Sequence, residues 1–195
     1  GVMRFAYETV EDLRRITDVT PEEEATSDFG TNTTDEYFDD LFRLTAYRTD
    51  PDLSEILVTQ SLNVMAWLRT KGVKFILNHG RQSGMVNGRR VYFGNMPIEV
   101  NGGGAGLVDY LDKSVKDKGI EVFYNTRAIS LLFDGVKVSG VRVQRGDKVE
   151  EIRAKSVVLA SGGFEANPEM RTRYLGPGWD LCKVRGTRFN QGDGL

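Results

Sequence analysis

A chain of 195 residues with 39% hydrophobic and 28% charged side chains is long enough for one substantial core and too ordinary in composition for a disordered or fibrous protein. Its formal net charge of -2 gives no electrostatic basis for binding nucleic acid or an anionic membrane. A single cysteine, Cys182, excludes an internal disulfide and a thiolate metal site and points to a reducing, cytoplasmic setting, and no run of about 18 apolar residues exists to span a membrane.

The opening Gly1-Val2-Met3-Arg4-Phe5-Ala6-Tyr7 leaves Met3 and Phe5 exposed unless they pack on the domain, and a short helix is expected over Thr9 to Ile16. Thr20 suits a helix cap, Pro21 the first helical position, and Glu22, Glu23 and Glu24 the positive end of a helix dipole. Consecutive carboxylates point in different directions, so this acidic run reads as a solvated surface turn rather than a metal site. Thr33 and Glu36 stand at capping-box spacing, and Tyr37, Leu41 and Leu44 then recur at helical intervals, which predicts a helix to about Arg48. Asp50-Pro51 starts the next helix, with Leu53, Ile56, Leu57, Val64, Trp67 and Leu68 as the expected core face and Gly72 as a left-handed terminator.

Alternation at Val73, Phe75 and Leu77 predicts a strand that emerges at His79. The stretch from Gly80 to Val100 is polar, glycine-bearing and basic, with Arg81, Arg89 and Arg90; it fits an anion-meeting loop or a solvated hairpin equally. Asn101-Gly102-Gly103-Gly104-Ala105-Gly106 opens a helix carrying Leu107, Leu111 and Val115, and Ile120, Val122 and Tyr124 alternate as a strand. This is not a self-contained NAD fingerprint, because Leu107 stands at the third glycine position and no ribose-binding acid follows the strand at Asn125. Turn dipeptides Asp134-Gly135 and Arg145-Gly146 separate short alternating runs and predict a three-stranded meander ending near Ala154. Val157, Val158 and Leu159 then read as a buried strand that runs straight into Ala160-Ser161-Gly162-Gly163, a ribbon without bulk where a backbone can approach a flat or charged ligand. Arg171, Arg173, Lys183, Arg185 and Arg188 make the tail basic.

The helix from Gly104, the strand Ile120 to Tyr124, Asn125-Thr126-Arg127-Ala128, the meander, Ala160-Ser161-Gly162-Gly163-Phe164 and Gln191-Gly192-Asp193-Gly194 together resemble the flavin domain of the fumarate reductase and succinate dehydrogenase flavoprotein superfamily. The resemblance runs over essentially the whole chain. It implies an α/β fold, a partial FAD-binding domain of the glutathione-reductase-like Rossmann type, with a helical N-terminal half, a meander and parallel strands. Tyr174-Leu175-Gly176-Pro177-Gly178-Trp179-Asp180 and Val184-Arg185-Gly186-Thr187-Arg188-Phe189-Asn190 are most similar to tricarballylate dehydrogenases, which oxidise tricarballylate to cis-aconitate with FAD.

The resemblance implies cofactor contacts at Gly1, Met3, Ala128, Ala160, Ser161, Gly162 and Asp193. Gly1-Val2-Met3 corresponds to a Gly-Gly-Met loop beside the flavin, Ala128 to a backbone that reads the adenine edge, and Ser83 to Val100, with Met85 and its arginines, to a stretch near the substrate pocket. Gln191 stands where the family has threonine. The family's Gly-x-Gly-x-x-Gly and its capping domain with the catalytic arginines and histidines match nothing here, so no catalytic residue is assigned, and His79, the only histidine, is expected to be structural or superficial. The absent initiator methionine and the closing turn at Leu195 suggest a piece of a longer protein, inactive alone and prone to self-association through exposed apolar edges. The implied partners are a small carboxylate substrate and an electron-accepting protein. A fumarate reductase, a ketosteroid dehydrogenase or a non-catalytic binding module are the alternatives.

Overall fold

Three threonines set the N-terminal helices. Each caps its helix through its side chain while the acid three residues on reaches back to the cap: Thr9 with Asp12 for α1 (Val10–Arg14), Thr20 with Glu23 for α2 (Pro21–Thr26), then, after β1 (Ser27–Asp28), Thr33 with Glu36 for α3 (Thr34–Leu44). This satisfies donors at both ends of the first turn. Asp50 caps α4 (Pro51–Thr70) by accepting from the Leu53 N–H at 3.0 Å. The remaining elements are β2 (Phe75–Leu77), β3 (Ser83–Val86), β4 (Arg89–Tyr92), β5 (Ile98–Val100), α5 (Gly103–Asp117), β6 (Arg127–Phe133), β7 (Val138–Arg145), β8 (Lys148–Arg153) and α6 (Pro168–Leu175). The computed structural model describes residues 2–195, so the role expected of Gly1 lies outside the described residues.

The result is a mixed α/β chain of two compact units, one ending at Glu121 and the other beginning at Val122. In the first, Phe5, Leu13, Ile16, Met65, Val73, Ile98 and Val100 are buried in one cluster. Phe5 is therefore core, and Met3 packs against the same cluster. β2 pairs antiparallel with β5, and β4 lies between β1 and β3. The second unit is built on the antiparallel meander β6-β7-β8, as the turn dipeptides predict. At Gly140, with φ +151°, the backbone of β8 comes so close that a Cβ would strike the Ile152 carbonyl. Glycine is needed there for close approach as well as for its dihedral.

Two expectations change. The inward face of α4 carries Ser54, Val58, Ser61 and Met65, while Leu53, Ile56, Leu57, Val64 and Trp67 face outward. The serines are satisfied inside: Ser61 Oγ accepts the Ala6 N–H at 2.9 Å and donates to the Val58 carbonyl at 2.7 Å, and Ser54 Oγ donates to the Asp50 carbonyl at 2.6 Å. Apolar spacing identifies a stripe but not which side of a helix the core lies on. Val157 to Leu159 and Ile120 to Tyr124 form no strand, because no described segment pairs with either; Val158 is 88% exposed. A strand is defined by its ladder, and a β-branched run without one stays merely extended. The only parallel pairing among the named strands is the short β1–β4 contact.

Candidate functional site

The ribbon Ala160-Ser161-Gly162 is exposed, and among the described residues its peptide N–H groups donate to no backbone carbonyl. It leads into a turn held from two sides. Gly162 has φ +81°, and a Cβ there would lie 2.7 Å from Asn190 Oδ1, so position 162 needs both the left-handed backbone and the missing side chain. Gly192, at φ +88°, donates its N–H to the Gly163 carbonyl at 3.0 Å, and a Cβ at 192 would run into the Met170 thioether. Gly194 lies against Ser161 Oγ in the same way. Two glycine turns far apart in sequence are thus packed backbone to backbone.

Side-chain amides lace them together. Ala166 N–H donates to the Asn190 carbonyl at 3.0 Å, and Asn190 Nδ2 donates to Glu165 Oε1 at 2.5 Å. Asn167 Nδ2 donates to the Gln191 carbonyl at 3.1 Å, while its Oδ1 caps α6 by accepting the Met170 N–H at 3.1 Å. Gln191 Nε2 reaches the Arg188 carbonyl at 2.7 Å and the Ala166 carbonyl at 3.4 Å. The glutamine that replaces threonine thus ties the last turn to the glycine turn. The Glu165 carboxyl is held below the usual carboxylate range, first by its own backbone N–H and then by Asn190.

Arg171 stands behind the turn and is 7% exposed. Its guanidinium donates to the carbonyls of Trp179 at 3.0 Å, Asp180 at 3.2 Å and Glu165, and no carboxylate pairs with it among the described residues. The planar fork of arginine suits three carbonyls from two directions. Sequence reasoning counted Arg171 as one of several basic tail residues; only the helix start at Asn167-Pro168, which sets where residue 171 points, gave any signal of this clasp.

The other expected contact residues sit on separate elements. Ala128 lies on the outer strand β6, paired with Val143, and is exposed; Asp193 is exposed on the last turn, next to Gly192; Met3 lies against the core of the first unit. The Gly80–Val100 stretch resolves as the β3–β4 hairpin, with Arg89 Nη2 donating to the Ser27 carbonyl at 2.6 Å and Arg90 Nη1 to Ser83 Oγ at 3.1 Å. Met85 is exposed at its tip. His79 joins this hairpin to α2: its Nδ1 lies 2.9 Å from Tyr92 Oη and its Nε2 3.7 Å from Glu23 Oε1. Burial pushes the Tyr92 hydroxyl up to about 12. At the start of α5, Gly106 fits under the Asn101 carbonyl where a Cβ would collide, so the glycine run serves a tight entry to the helix.

Residues 21–195 match the family described as FAD binding domain. The chain belongs to this family. Its cofactor is FAD. The chain is 30% identical over 128 residues to an NADH:fumarate oxidoreductase of Klebsiella pneumoniae (strain 342), covering 65% of this chain and 13% of the relative. It is 32% identical over 140 residues to a probable fumarate reductase of Shewanella frigidimarina (strain NCIMB 400), covering 71% of this chain and 23% of that protein. The chain therefore spans less than a quarter of the length of either relative. A structure of 3-ketosteroid-delta4-(5alpha)-dehydrogenase from Rhodococcus jostii RHA1, in complex with 4-androstene-3,17-dione, superposes with a TM-score of 0.57 at 18% identity, covering 90% of this chain and 42% of that one; this likeness concerns the fold alone. The site suits part of FAD: an exposed ribbon of small residues with free peptide donors accommodates a phosphate or a flat ring, and the laced turn behind it holds the backbone in place. Among the described residues no helix is long and apolar enough to cross a membrane.

Proposed function

We propose that this chain is the central part of the FAD-binding domain of a flavin-dependent oxidoreductase that oxidises a small polycarboxylate, tricarballylate to cis-aconitate. The observation that carries the reading is the pair of interlocked glycine turns, which leaves Ala160 to Gly162 bare, exposed and rich in free peptide donors. In this reading Ala160, Ser161 and Gly162 lie along the adenosine and pyrophosphate side of FAD, Ala128 offers its backbone to the adenine edge, Asp193 approaches from the last turn, and Gly1 and Met3 lie beside the flavin. Val157 to Leu159 and Ile120 to Tyr124 are then strands of a Rossmann-type parallel sheet whose pairing partners lie in a dinucleotide-binding βαβ unit. Held by these residues, FAD would supply a two-electron acceptor for a hydride from the substrate, with a partner protein as the onward electron acceptor. Residues that clamp the carboxylates and move the proton belong to a capping domain beyond these 195 residues. The Tyr174 to Asp180 and Val184 to Asn190 motifs support tricarballylate as the substrate.

The test is anaerobic spectroscopy of the full-length protein. The expected result is flavin absorbance that tricarballylate bleaches. A protein that binds no flavin overturns the whole reading; one that binds flavin but is bleached by no tricarboxylate overturns the substrate. A second reading, reduction of an activated alkene such as fumarate, is favoured by the fumarate-reducing relatives. In that case dithionite-reduced enzyme is reoxidised by fumarate and not by cis-aconitate.

A further inference from the structure

The peptide N–H groups of Ala160 to Gly162 donate to no backbone carbonyl among the described residues, so the ribbon offers donors to an anionic group. An acceptor stands beside them. Asn190 lays its side chain against Gly162, with Oδ1 2.7 Å and Nδ2 3.3 Å from the point a Cβ would occupy there. Among the described residues nothing donates to that oxygen.

A side-chain amide can present its oxygen or its NH2 group, and its neighbours decide which. Here the neighbour is a carboxylate: Glu165 Oε1 accepts from Asn190 Nδ2 at 2.5 Å. An ionised carboxylate has no hydrogen to give, so the amide nitrogen must face Glu165 and the oxygen must face Gly162. The Glu165 carboxyl is held below the usual carboxylate range first by its own backbone N–H and then by Asn190, which keeps it in the accepting form at neutral pH. Both residues are anchored through their backbones as well. The Asn190 carbonyl accepts the Ala166 N–H at 3.0 Å, and the Arg171 guanidinium grips the Glu165 carbonyl.

The ribbon therefore has two chemical sides, peptide donors along one and a fixed carbonyl oxygen at the other. The adenylate half of FAD has matching groups: phosphates that only accept, and ribose hydroxyls and an adenine amine that donate. We propose that Asn190 is a cofactor-binding residue whose Oδ1 accepts a hydrogen bond from the adenosine of FAD, from a ribose hydroxyl or the 6-amino group, and that Glu165 is the positioning residue that orients it. This rests on the placement of FAD along Ala160 to Gly162 and adds to it a side chain that distinguishes the nucleoside from the pyrophosphate.

Flavin fluorescence titration of the full-length apoprotein tests it with FAD and two analogues, one built on 2′,3′-dideoxyadenosine and one on inosine. The wild-type protein is expected to bind one analogue about three- to tenfold more weakly than FAD, the dideoxy form for a hydroxyl contact and the inosine form for an amine contact. In Asn190→Ala that penalty shrinks to about twofold or less; each variant is compared with itself on FAD and analogue, so a general weakening of the fold cancels. Glu165→Gln can donate or accept and lets the amide turn either way, so its penalty falls between the two. A penalty equal in wild type and Asn190→Ala, or wild-type binding of both analogues as tight as FAD, overturns the contact and leaves the placement of FAD standing. A penalty that Glu165→Gln preserves in full overturns the part given to Glu165. A full-length protein that binds no FAD overturns the placement itself and the contact with it.

Discussion

Arg171 holds the glycine turn from behind, and its loss strands three carbonyls at once. Arg171→Ala is expected to destabilise the second unit by about 3 kcal/mol, and Arg171→Lys to recover less than half, since an ammonium cannot reproduce the planar fork. Urea unfolding followed by Trp179 emission in a Trp67→Phe background measures both. Gly162→Ala combines a positive φ with a methyl 2.7 Å from Asn190 Oδ1. It is expected to cost about 1–2 kcal/mol and, by dislodging Asn190 from Glu165, to weaken FAD binding by the full-length protein about five- to tenfold in a flavin fluorescence titration. Titrating groups give two further outcomes. Glu23 is held below the ordinary glutamate range first by the Thr20 backbone N–H and then by the Thr20 hydroxyl and His79, against some desolvation. Its contribution is complete above the unfolded glutamate value of about 4.3 and is lost as pH falls below it, so Glu23→Gln flattens the acid side of a melting-temperature profile. Tyr92 runs the other way: with its hydroxyl pushed up to about 12, its contribution is complete below pH about 10 and is lost as pH rises from there. Tyrosinate absorbance from Tyr92 should therefore appear only together with alkaline unfolding.

At the helices, local chemistry was legible in the chain itself. The Thr33–Glu36 spacing gave the start of α3, and Thr33→Ala is expected to lower stability by about 1 kcal/mol, checked by thermal melting. Its end was less legible: the helix stops at Leu44, and Ala46 and Tyr47 take positive φ, which nothing in those side chains announces. The meander was readable because Asp134-Gly135 and Arg145-Gly146 are turns whatever surrounds them. The face of α4 was not, since Ser54 and Ser61 choose it through partners such as the Ala6 N–H that only the fold supplies. Val157 to Leu159 has strand composition but its ladder depends on a partner, which composition cannot supply. Of the site, the glycines at 162 and 192 could be picked out, whereas Arg171, Asn190 and Gln191 became visible only when two distant turns were brought together.

Between the two units the apolar interior is unevenly shared. Among the described residues, Val143 is the only buried hydrophobic one beyond Glu121. Amide exchange is therefore expected to divide the chain, with protection in Phe5, Ile98 and Val100 well above that anywhere from Val122 onward except β7. Limited proteolysis should first cut the unpaired extended run between Ala154 and Ser161. Within the second unit, order comes from two kinds of electrostatics. On the meander, Arg142 and Arg153 meet Glu151 at 3.2 and 2.6 Å in the open, where dissolved ions compete for the same charges. Arg171 instead turns its cation toward peptide dipoles and away from water. Raising ionic strength should therefore loosen the sheet's rim while the bend before α6 keeps its shape, so this turn's backbone stays preformed from dilute buffer to brine.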